Sequence, residues 1–480
     1  MANLLEKYES VIGIEVHVQL NTKNKIFCAC ENRPDLSPNT NICIICCGYP
    51  GTLPILNKEV VDSAIMVGIS TNCTINRNNW FARKHYFYAD LPKGYQITQS
   101  DVPICENGFI EIKDEGNNVK KIRIKRIHME EDAGKNIHTE KYGSLVDYNR
   151  AGTPLLEIVT YPDISSAYEA REYLKELHSI VISLGITTGN MEEGAFRGDT
   201  NISVMIKGDI KLGTRCELKN INSFKFIHDA ANYEIERQIN ILECGDKVIQ
   251  QTRLWDTKLK QTYAMRTKED AEDYRYFQDP DLPEIFIDEN WINEIKSRLP
   301  ELPKEKINRF IKTYNLSEYE AEILLSDDSV CLFFENTYNL IKSKLVISWT
   351  IRELISIVKE FKIDLNNYKF THHYFANLIK MIEDKKITQK IAQDIFKDCF
   401  LNGIDPEKNA IENKLIVEIL DKSEVELIIK KFLSDNVNLV NDFKNGNIKI
   451  RGFIVGKIMA ETKGKVDPKV VNIILDRLLI

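Results

Sequence analysis

The sequence has 480 residues with 64 Lys/Arg and 71 Asp/Glu, giving a formal net charge of -7, and 43% of its side chains are hydrophobic. At ~150 residues per domain this length predicts roughly three domains, and the hydrophobic fraction excludes a disordered chain. No run reaches the ~18 apolar residues of a membrane helix, and Met1–Tyr8 lack the apolar core of a signal peptide. We therefore expect a soluble, cytoplasmic protein without a membrane partner.

Apolar and polar side chains alternate from Val11 to Leu20. This period of two predicts a β-strand with one buried face. Glu15 and His17 lie on the other face, about 7 Å apart along the strand. They can therefore converge on one cation or one substrate group. The alternative is an ordinary solvent-facing strand.

Five of the eleven cysteines lie between Ile26 and Gly48. They form a C-x-C pair, a twelve-residue loop and a C-x-x-C pair, with Cys47 left over. This spacing can supply four thiolates to one tetrahedral zinc ion, and a site closed by four sulfurs is structural rather than catalytic. The alternative is a redox pair or a set of unrelated thiols. The predicted ligands, in a zinc-binding loop over residues 28–46, are Cys28, Cys30, Cys43 and Cys46.

Arg83–Gln96 mixes cations, tyrosines and turn residues. Its aromatic faces suit a base or the terminal adenosine of an RNA, and its lysines suit phosphate. Another polar segment with glycines, Asn190–Asn201, is interpreted as a loop that opens onto a strand. The sequence signatures of P-loop NTPases, protein kinases and Gly-x-Ser-x-Gly hydrolases are absent.

A second group of ionisable residues follows a strand pattern. Arg126, His128, Glu130 and Asp132 share one face, and Glu131 lies between the last two. Three consecutive carboxylates repel one another unless a cation or a basic ligand neutralises them. Magnesium prefers oxygen ligands and retains waters, so these carboxylates together with substrate phosphates would satisfy it. The alternative is an acidic turn exposed to water.

Glycine usage divides the chain, because 17 of the 22 glycines precede residue 296. In this first part strand patterns alternate with turns, and helices are predicted after the capping box Ser166-x-x-Glu169 and from Ile227 to Cys244. From about Trp291 onward the pattern is helical almost throughout. We predict an α+β protein with a mixed β-sheet domain with helices over residues 1–295, an all-α helical domain over 296–408 and a small helical tail domain over 409–480.

The end of the chain is basic, with eight Lys/Arg against three Asp/Glu from Phe443 to Ile480. A flexible basic surface of this kind suits contact with a phosphate backbone. A solvated helical face is the alternative. The candidate residues are Lys457, Lys463, Lys465 and Lys469.

Taken together, and in order over the whole chain, seven segments resemble the B subunit of the aspartyl/glutamyl-tRNA amidotransferase family. No single motif carries the resemblance. The segments are Val11–Leu20, Tyr86–Gln96, Arg126–Lys135, Val146–Gly152, Asn190–Gly194, Asp273–Phe277 and Gly456–Lys465.

The resemblance implies a cradle-shaped sheet domain, a helical domain and a tail that reaches tRNA. It implies that the chain binds Glu-tRNA(Gln) or Asp-tRNA(Asn) and transfers the γ-phosphoryl group of ATP to the side-chain carboxylate of the attached amino acid. Ammonia released from glutamine by a separate A subunit would travel through an internal channel and displace the phosphate. A small C subunit would complete the heterotrimer.

The resemblance also implies roles for individual residues. The implied magnesium ligands are Glu15, His17, Glu130 and Glu131. From their chemistry and position in the chain, we predict phosphate contacts for Lys84, Lys93 and Arg150. On the same basis we predict that Tyr86, Tyr88 and Gln96 line the pocket for the tRNA acceptor end. A structural zinc ion at the four cysteines and tRNA contacts at the four tail lysines complete the set.

Two other functions are compatible with these residues. A nonenzymatic, zinc-containing tRNA-binding adaptor would bind through its tail, and its Glu15/Glu130/Glu131 cluster would be dispensable. A standalone carboxylate–amine ligase would use free ammonia without a partner. The sequence contains no recognisable glutaminase apparatus, so the use of glutamine requires a partner protein.

Overall fold

The computed structural model describes residues 7–33, 35–139, 143–267, 273–416, 422–436, 449–461 and 468–479. Contacts between residues divide the chain into two compact units, Met1–Lys306 and Ile307–Ile480. The first unit contains both strands and helices, and the second is helical.

The strands of the first unit are β1 (Tyr8–Gln19), β2 (Thr74–Ile75), β3 (Asn78–Asn79), β4 (Ala82–His85), β5 (Tyr95–Thr98), β6 (Cys105–Lys113), β7 (Val119–Glu131), β8 (Lys135–Thr139), β9 (Gly143–Asp147), β10 (Pro154–Thr160), β11 (Phe196–Ile206), β12 (Cys216–Lys219), β13 (Gln251–Asp256), β14 (Gln261–Thr267), β15 (Phe277–Gln278) and β16 (Ile285–Phe286). Its helices are α1 (Lys58–Ser70), α2 (Ala167–Ser183), α3 (Phe224–Glu243) and α4 (Glu289–Arg298), and α5 (Pro303–Tyr314) crosses the boundary between the units.

Twelve of the described strands form one mixed sheet. Its main path runs β14–β13–β12–β11–β1–β10–β7–β5–β4–β15, while β6 pairs with β7 and β2 pairs with β6. Most neighbours are antiparallel, but β12 and β13 are parallel. Parallel neighbours need a crossover connection, and α3 lies between these two strands in the chain.

β1 lies between β10 and β11 in the sheet. The predicted strand at Val11–Leu20 is confirmed as part of β1, which begins three residues earlier, at Tyr8. Its alternate apolar side chains, from Ile12 to Val18, are at most 1% exposed. They belong to one apolar core that the sheet shares with α1, α2, α3 and α4.

The helices pack on one face of this sheet, with α1 against β6 and β7, α2 against β6 and α3 against β11. The helix predicted after Ser166 is confirmed as α2. Ser166 caps it, since its Oγ accepts a hydrogen bond from the Glu169 backbone N–H at 3.1 Å. α3 begins three residues before its predicted start at Ile227. Ser223 caps it there and accepts a hydrogen bond from the Phe226 backbone N–H at 3.1 Å.

The second unit contains the helices α6 (Glu318–Leu324), α7 (Asp328–Ile341), α8 (Lys344–Trp349), α9 (Ile355–Phe361), α10 (His372–Glu383), α11 (Gln389–Asn402), α12 (Pro406–Glu412), α13 (Lys422–Asp435), α14 (Lys449–Glu461) and α15 (Pro468–Leu479), with a π-helical turn at Thr350–Leu354 and a 3-10 turn at Leu365–Asn367. One apolar cluster extends from Phe310 to Ala410. A smaller one joins α13, α14 and α15.

The predicted α+β class, with a mixed sheet followed by a helical region, is confirmed. The domain boundaries at residues 295 and 408 stay a prediction. Within the ranges that the structure describes, no helix has the length and apolar character required to cross a membrane.

Tyr173 on α2 is fully buried, and its hydroxyl has no hydrogen-bond partner among the described residues. Because an unpaired buried hydroxyl is destabilising, we predict that Tyr173→Phe raises the free energy of unfolding by about 1 kcal/mol. Urea denaturation followed by circular dichroism would measure this change. A loss of more than about 1 kcal/mol would contradict the prediction and indicate that the hydroxyl is hydrogen-bonded in solution.

Candidate active site and metal centre

One row of ionisable side chains crosses four neighbouring strands on the sheet face opposite the helices. In the antiparallel register, His17 on β1 lies opposite Glu157 on β10 and Arg197 on β11. Glu157 in turn lies opposite His128 on β7. Directly opposed residues project their side chains to the same face. The register therefore places His128, Glu157, His17 and Arg197 side by side.

Glu130 joins this row to form what we name the imidazole–carboxylate cluster: His17, His128, Glu130 and Glu157. His17 Nε2 lies 3.4 Å from Glu157 Oε2 and 3.7 Å from Glu130 Oε1. His128 Nε2 lies 3.3 Å from Glu157 Oε2 and 3.7 Å from Glu130 Oε2. Thr98 Oγ1 donates a hydrogen bond of 3.1 Å to Glu130 Oε2 and so orients this carboxylate.

The members of the cluster shift one another's pKa towards the charged forms. Burial lowers the pKa of His128, but the charges and contacts of Glu157 and Glu130 outweigh it and raise this pKa to about 9. The pKa of His17 is raised by the same carboxylates against the effect of burial. Burial raises the pKa of Glu157, yet the two imidazoles bring it well below its usual range. The pKa of Glu130 is lowered in the same way, chiefly by His128.

The donor atoms of the cluster fit a divalent cation. One ligand atom from each of His17, Glu130 and Glu157 lies within 4.8 Å of the others. Carboxylate oxygens suit magnesium or manganese, and an imidazole, which ligates in its neutral form, suits manganese better than magnesium. His128 Nδ1 is buried without a hydrogen-bond partner in the described part of the chain, so His128 acts on the cluster through Nε2.

Glu15, a predicted magnesium ligand, lies on the same face in a neighbouring acidic tract. It is opposite Asp199 on β11 and accepts a hydrogen bond of 3.3 Å from Asn201 Nδ2. Lys219 Nζ bridges this tract, 2.8 Å from Asp199 Oδ2 and 3.1 Å from Glu217 Oε1. Burial, and then the charges of nearby carboxylates, raise the pKa of Glu15.

Glu131, another predicted magnesium ligand, points away from Glu130, because successive strand residues project to opposite faces. Its carboxylate accepts hydrogen bonds from Lys93 Nζ at 2.6 Å and from the Ile97 backbone N–H at 2.9 Å. Gly48 packs closely on Lys93: a Cβ at Gly48, whose φ is +64°, would lie 2.4 Å from Lys93 Cγ. The charge of Glu131 is thus neutralised within the chain.

Lys84, Tyr86 and Tyr88 lie together in an aromatic group that also contains Tyr274. The ring centroid of Tyr86 is 6.1 Å from those of Tyr88 and Tyr274, and Lys84 Nζ is 4.8 Å from the Tyr274 ring. Tyr88 is 53% exposed, whereas burial raises the pKa of Tyr86. An accessible aromatic surface beside a cation can stack on a base.

The other two predicted residues of this region make contacts inside the chain. Gln96 is buried and its Nε2 donates to the Glu131 carbonyl at 2.8 Å. Arg150 donates to the Ala133 carbonyl at 3.0 Å and to the Gly134 carbonyl at 2.7 Å. Both side chains therefore brace the end of β7 and the turn that follows it.

The four predicted zinc ligands lie together. Cys46 Sγ is 3.4 Å from Cys28 Sγ, 3.7 Å from Cys43 Sγ and 3.8 Å from Cys30 Sγ, and all four sulfurs lie within 4.8 Å of one another. Contact with Cys46 and burial raise the pKa of Cys28, while contact with Cys28 lowers the pKa of Cys46. Four adjacent thiolates require a cation, and this donor set fits a tetrahedral metal ion. Cys47 is not part of the set.

Asparagine side chains fasten the cysteine loop to the turn that precedes β10. Asn39 Nδ2 donates to the Val146 carbonyl at 2.9 Å, and Asn39 Oδ1 accepts from the Tyr148 backbone N–H at 2.8 Å. Asn149 Oδ1 accepts from the Asn41 backbone N–H at 2.9 Å. The same turn carries Arg150, so the loop is connected through it to the end of β7.

Only part of the predicted tRNA surface falls within the described residues. Lys457 lies on α14, with its Nζ 5.8 Å from the ring centroid of Phe453. Lys463 and Lys465 lie outside the described residues, and for Lys469 the structure describes the backbone, which belongs to α15.

Sequence reasoning missed several residues of this face. Glu157 is a single carboxylate within the apolar run of β10, and that isolation is the signal that could have identified it. The strand pattern places His128 on the correct face but assigns it no role. The predicted loop from Asn190 does open onto a strand, but this strand, β11, begins at Phe196 and so includes Arg197–Asn201. Asp199 therefore faces Glu15 from a paired strand.

Two family models match this chain. The one described as the GatB/GatE catalytic domain matches residues 10–293. The one described as the GatB domain matches residues 332–479. The sheet with its candidate metal centres thus belongs to a catalytic domain of the GatB/GatE class.

Curated relatives extend this match to nearly the whole chain. The proteins from Persephonella marina and Caldicellulosiruptor saccharolyticus are both 46% identical over 98% of this chain, with 100% and 98% of the relatives covered. The protein from Thermodesulfovibrio yellowstonii is 45% identical over 98% of this chain and 99% of its own length. All three are named as the B subunit of aspartyl/glutamyl-tRNA(Asn/Gln) amidotransferase. This chain belongs to the family of that B subunit, which confirms the predicted resemblance and the predicted class of enzyme.

The raised pKa of His128 makes stability depend on pH. The pKa is about 9 in the folded protein and ~6.5 in an unfolded chain. The stabilising contribution is therefore present in full below pH ~6.5 and disappears as the pH rises through about 9. One pKa unit corresponds to about 1.4 kcal/mol. We therefore predict that His128→Gln reduces the pH-dependent part of the free energy of unfolding by up to about 3 kcal/mol. Denaturation of both proteins in magnesium-free buffer across this pH range would measure the difference.

His138→Gln is the matched control, because His138 is an exposed histidine on β8. Its pH profile of stability should follow that of the wild type. Equal slopes for the wild type and His128→Gln between pH 6.5 and 9.5 would contradict the assigned ionisation of the cluster.

Proposed function

We propose that this chain is the ATP-dependent B subunit of a tRNA-dependent amidotransferase. It transfers the γ-phosphoryl group of ATP to the side-chain carboxylate of Glu-tRNA(Gln) or Asp-tRNA(Asn) and releases ADP. Ammonia then attacks the activated carbon, phosphate leaves and the amide forms. The observation that carries this proposal is the imidazole–carboxylate cluster on the sheet face of a catalytic domain of this family.

Glu130 and Glu157 hold a magnesium ion in this proposal, with His17 beside them. A magnesium ion held there would supply positive charge that offsets the charge of the ATP phosphates and of the attacking carboxylate. His128 contacts both ligand carboxylates, and Thr98 orients Glu130. Glu15 and Glu131 belong to the same charged region, Glu15 in the acidic tract and Glu131 paired with Lys93.

Lys84, Tyr86 and Tyr88 contact the substrates in this proposal. The ammonium group of Lys84 meets phosphate, and the tyrosine rings stack on the terminal adenosine of the tRNA. Lys93, Gln96 and Arg150 act as positioning residues, because their side chains support Glu131 and the turn after β7. This division of roles refines the assignment that the sequence suggested.

The remaining parts of the proposal concern metal and partners. Zinc at Cys28, Cys30, Cys43 and Cys46 is structural, since four sulfurs leave no open position. A glutaminase A subunit supplies ammonia through an internal channel, and a small C subunit completes the heterotrimer. The names of the relatives, which are those of one subunit of an enzyme for aspartyl/glutamyl-tRNA, support partners and a tRNA substrate.

The role of the cluster is tested by Glu157→Gln and Glu130→Gln. We predict that each lowers ATP-dependent amide formation at least ~100-fold, because a missing carboxylate leaves transition-state charge uncompensated. The assay uses the complex with A and C subunits, ATP, Mg²⁺, Glu-tRNA(Gln) or Asp-tRNA(Asn), and ammonium as the nitrogen donor. Ammonium makes the measurement independent of glutaminase activity.

Glu9→Gln is the control, since Glu9 lies at the other end of the same strand as His17. Its rate should equal that of the wild type. Retained activity in Glu130→Gln or Glu157→Gln would remove that residue from the metal site. No ATP-dependent amide formation by the wild type under any of these conditions would favour the adaptor function instead.

The basic tail is tested by the dependence of tRNA affinity on salt. Each phosphate contact contributes about 0.7–0.9 to the slope of log Kd against log salt. Replacing four lysines by alanine should therefore weaken tRNA binding and lower the slope by about 3. The substituted residues are Lys457, Lys463, Lys465 and Lys469.

The control replaces four exposed lysines of the preceding helical region, which removes the same charge. In this control variant, tRNA affinity and the salt slope should both decrease much less than they do in the tail variant. An unchanged slope in the tail variant would exclude the tail as a tRNA contact. The control residues are Lys312, Lys380, Lys390 and Lys408.

A further inference from the structure

Lys25 is a fully buried lysine that the proposed chemistry does not use. Its side chain is 0% exposed, and its Nζ donates a hydrogen bond of 3.0 Å to the Asn41 carbonyl. Its other hydrogen-bonding neighbour is Cys46 Sγ, at 3.8 Å. Within the described part of the chain no carboxylate forms an ion pair with it. A buried ammonium requires a compensating negative charge, and the cysteine set is the group that can provide it.

The backbone holds Lys25 against the cysteine set. The Lys25 N–H donates to the Cys30 carbonyl at 3.0 Å, and the next residue, Ile26, donates to the Gly152 carbonyl at 3.0 Å. Gly152, with φ +81°, lies against the aliphatic part of the side chain: a Cβ there would be 3.5 Å from Lys25 Cδ. The backbone hydrogen bonds of Lys25 and Ile26 and the packing of Gly152 on the Lys25 side chain thus hold the ammonium group next to the sulfurs.

Four thiolates around a divalent ion leave a net charge of about -2 on the complex. A fixed ammonium at hydrogen-bond distance from one sulfur halves this charge and stabilises that thiolate. In metal sites such outer partners orient the ligands and strengthen metal binding.

We propose that Lys25 is a built-in counter-ion of the four-cysteine site, which donates an N–H···S hydrogen bond to Cys46 and sets the affinity of the site for zinc. Lys25 is a positioning residue for the metal and not a ligand. The proposal rests on the proposed metal site at the cysteines. It assigns a function to a lysine whose burial is otherwise unfavourable.

The test measures the affinity of the purified protein for zinc ions by competition with a chelator. Cobalt ions provide a second readout, through thiolate-to-metal absorption bands. We expect Lys25→Met to weaken zinc binding about 10- to 100-fold, the usual cost of removing such an outer partner. Lys23→Met is the matched control, because Lys23 is exposed two residues away and carries the same charge. Its affinity should stay within about twofold of the wild type.

A double substitution localises the effect. In a Cys46→Ser background, Lys25→Met should have little further effect on cobalt affinity, whereas in a Cys30→Ser background its effect should persist. If Lys25→Met does not fold, Lys25→Gln replaces it, because glutamine retains a hydrogen-bond donor for the Asn41 carbonyl. We expect Lys25→Gln to lose the same zinc affinity.

Zinc affinity of the Lys25 variants within about twofold of the wild type would overturn the role of Lys25 and leave the zinc site itself intact. A wild-type protein that binds neither zinc nor cobalt at the cysteines would overturn the structural zinc site and the role of Lys25 with it. The two failures are therefore distinguishable.

Discussion

The antiparallel register of β1 with β10 and β11 is the constraint on which the candidate site depends. It places His17 beside Glu157 and Arg197, and the pairing of β10 with β7 adds His128. A shift of one residue in β1 would turn its apolar residues away from the core and its ionisable residues into it. The packing of α2 and α3 on the apolar face thus also fixes the geometry of the polar face.

The cysteine loop and the sheet face form a second level of organisation. The loop contacts the turn at Tyr148–Arg150 through Asn39 and Asn41, and Arg150 holds the turn after β7. Gly48 packs on Lys93, which pairs with Glu131. A metal ion at the cysteines would therefore stabilise the end of β7, where Glu130 lies. This connection is a physical reason for a structural zinc site in a catalytic domain.

Local patterns in the sequence predict the elements better than the site. The alternation at Val11–Leu20 and the Ser166 cap depend on nearby residues, and both are present in the structure. The pairing of strands is not local, so the contact between Glu157 and the two histidines could not be predicted from their separate segments. Glu131 shows the opposite error. Because it is adjacent to Glu130 in the sequence, both were predicted to bind one magnesium ion, but the strand directs their side chains to opposite faces.

In the proposed mechanism Glu130 and Glu157, with His17 beside them, hold the divalent ion used in phosphoryl transfer. Anomalous diffraction from crystals of the complex soaked in Mn²⁺, a substitute that accepts both oxygen and imidazole ligands, locates that ion directly. We expect one strong peak within coordinating distance of Glu130 and Glu157, with His17 beside it. A peak confined to the acidic tract at Glu15 and Asp199, with none at the imidazole–carboxylate cluster, would contradict it.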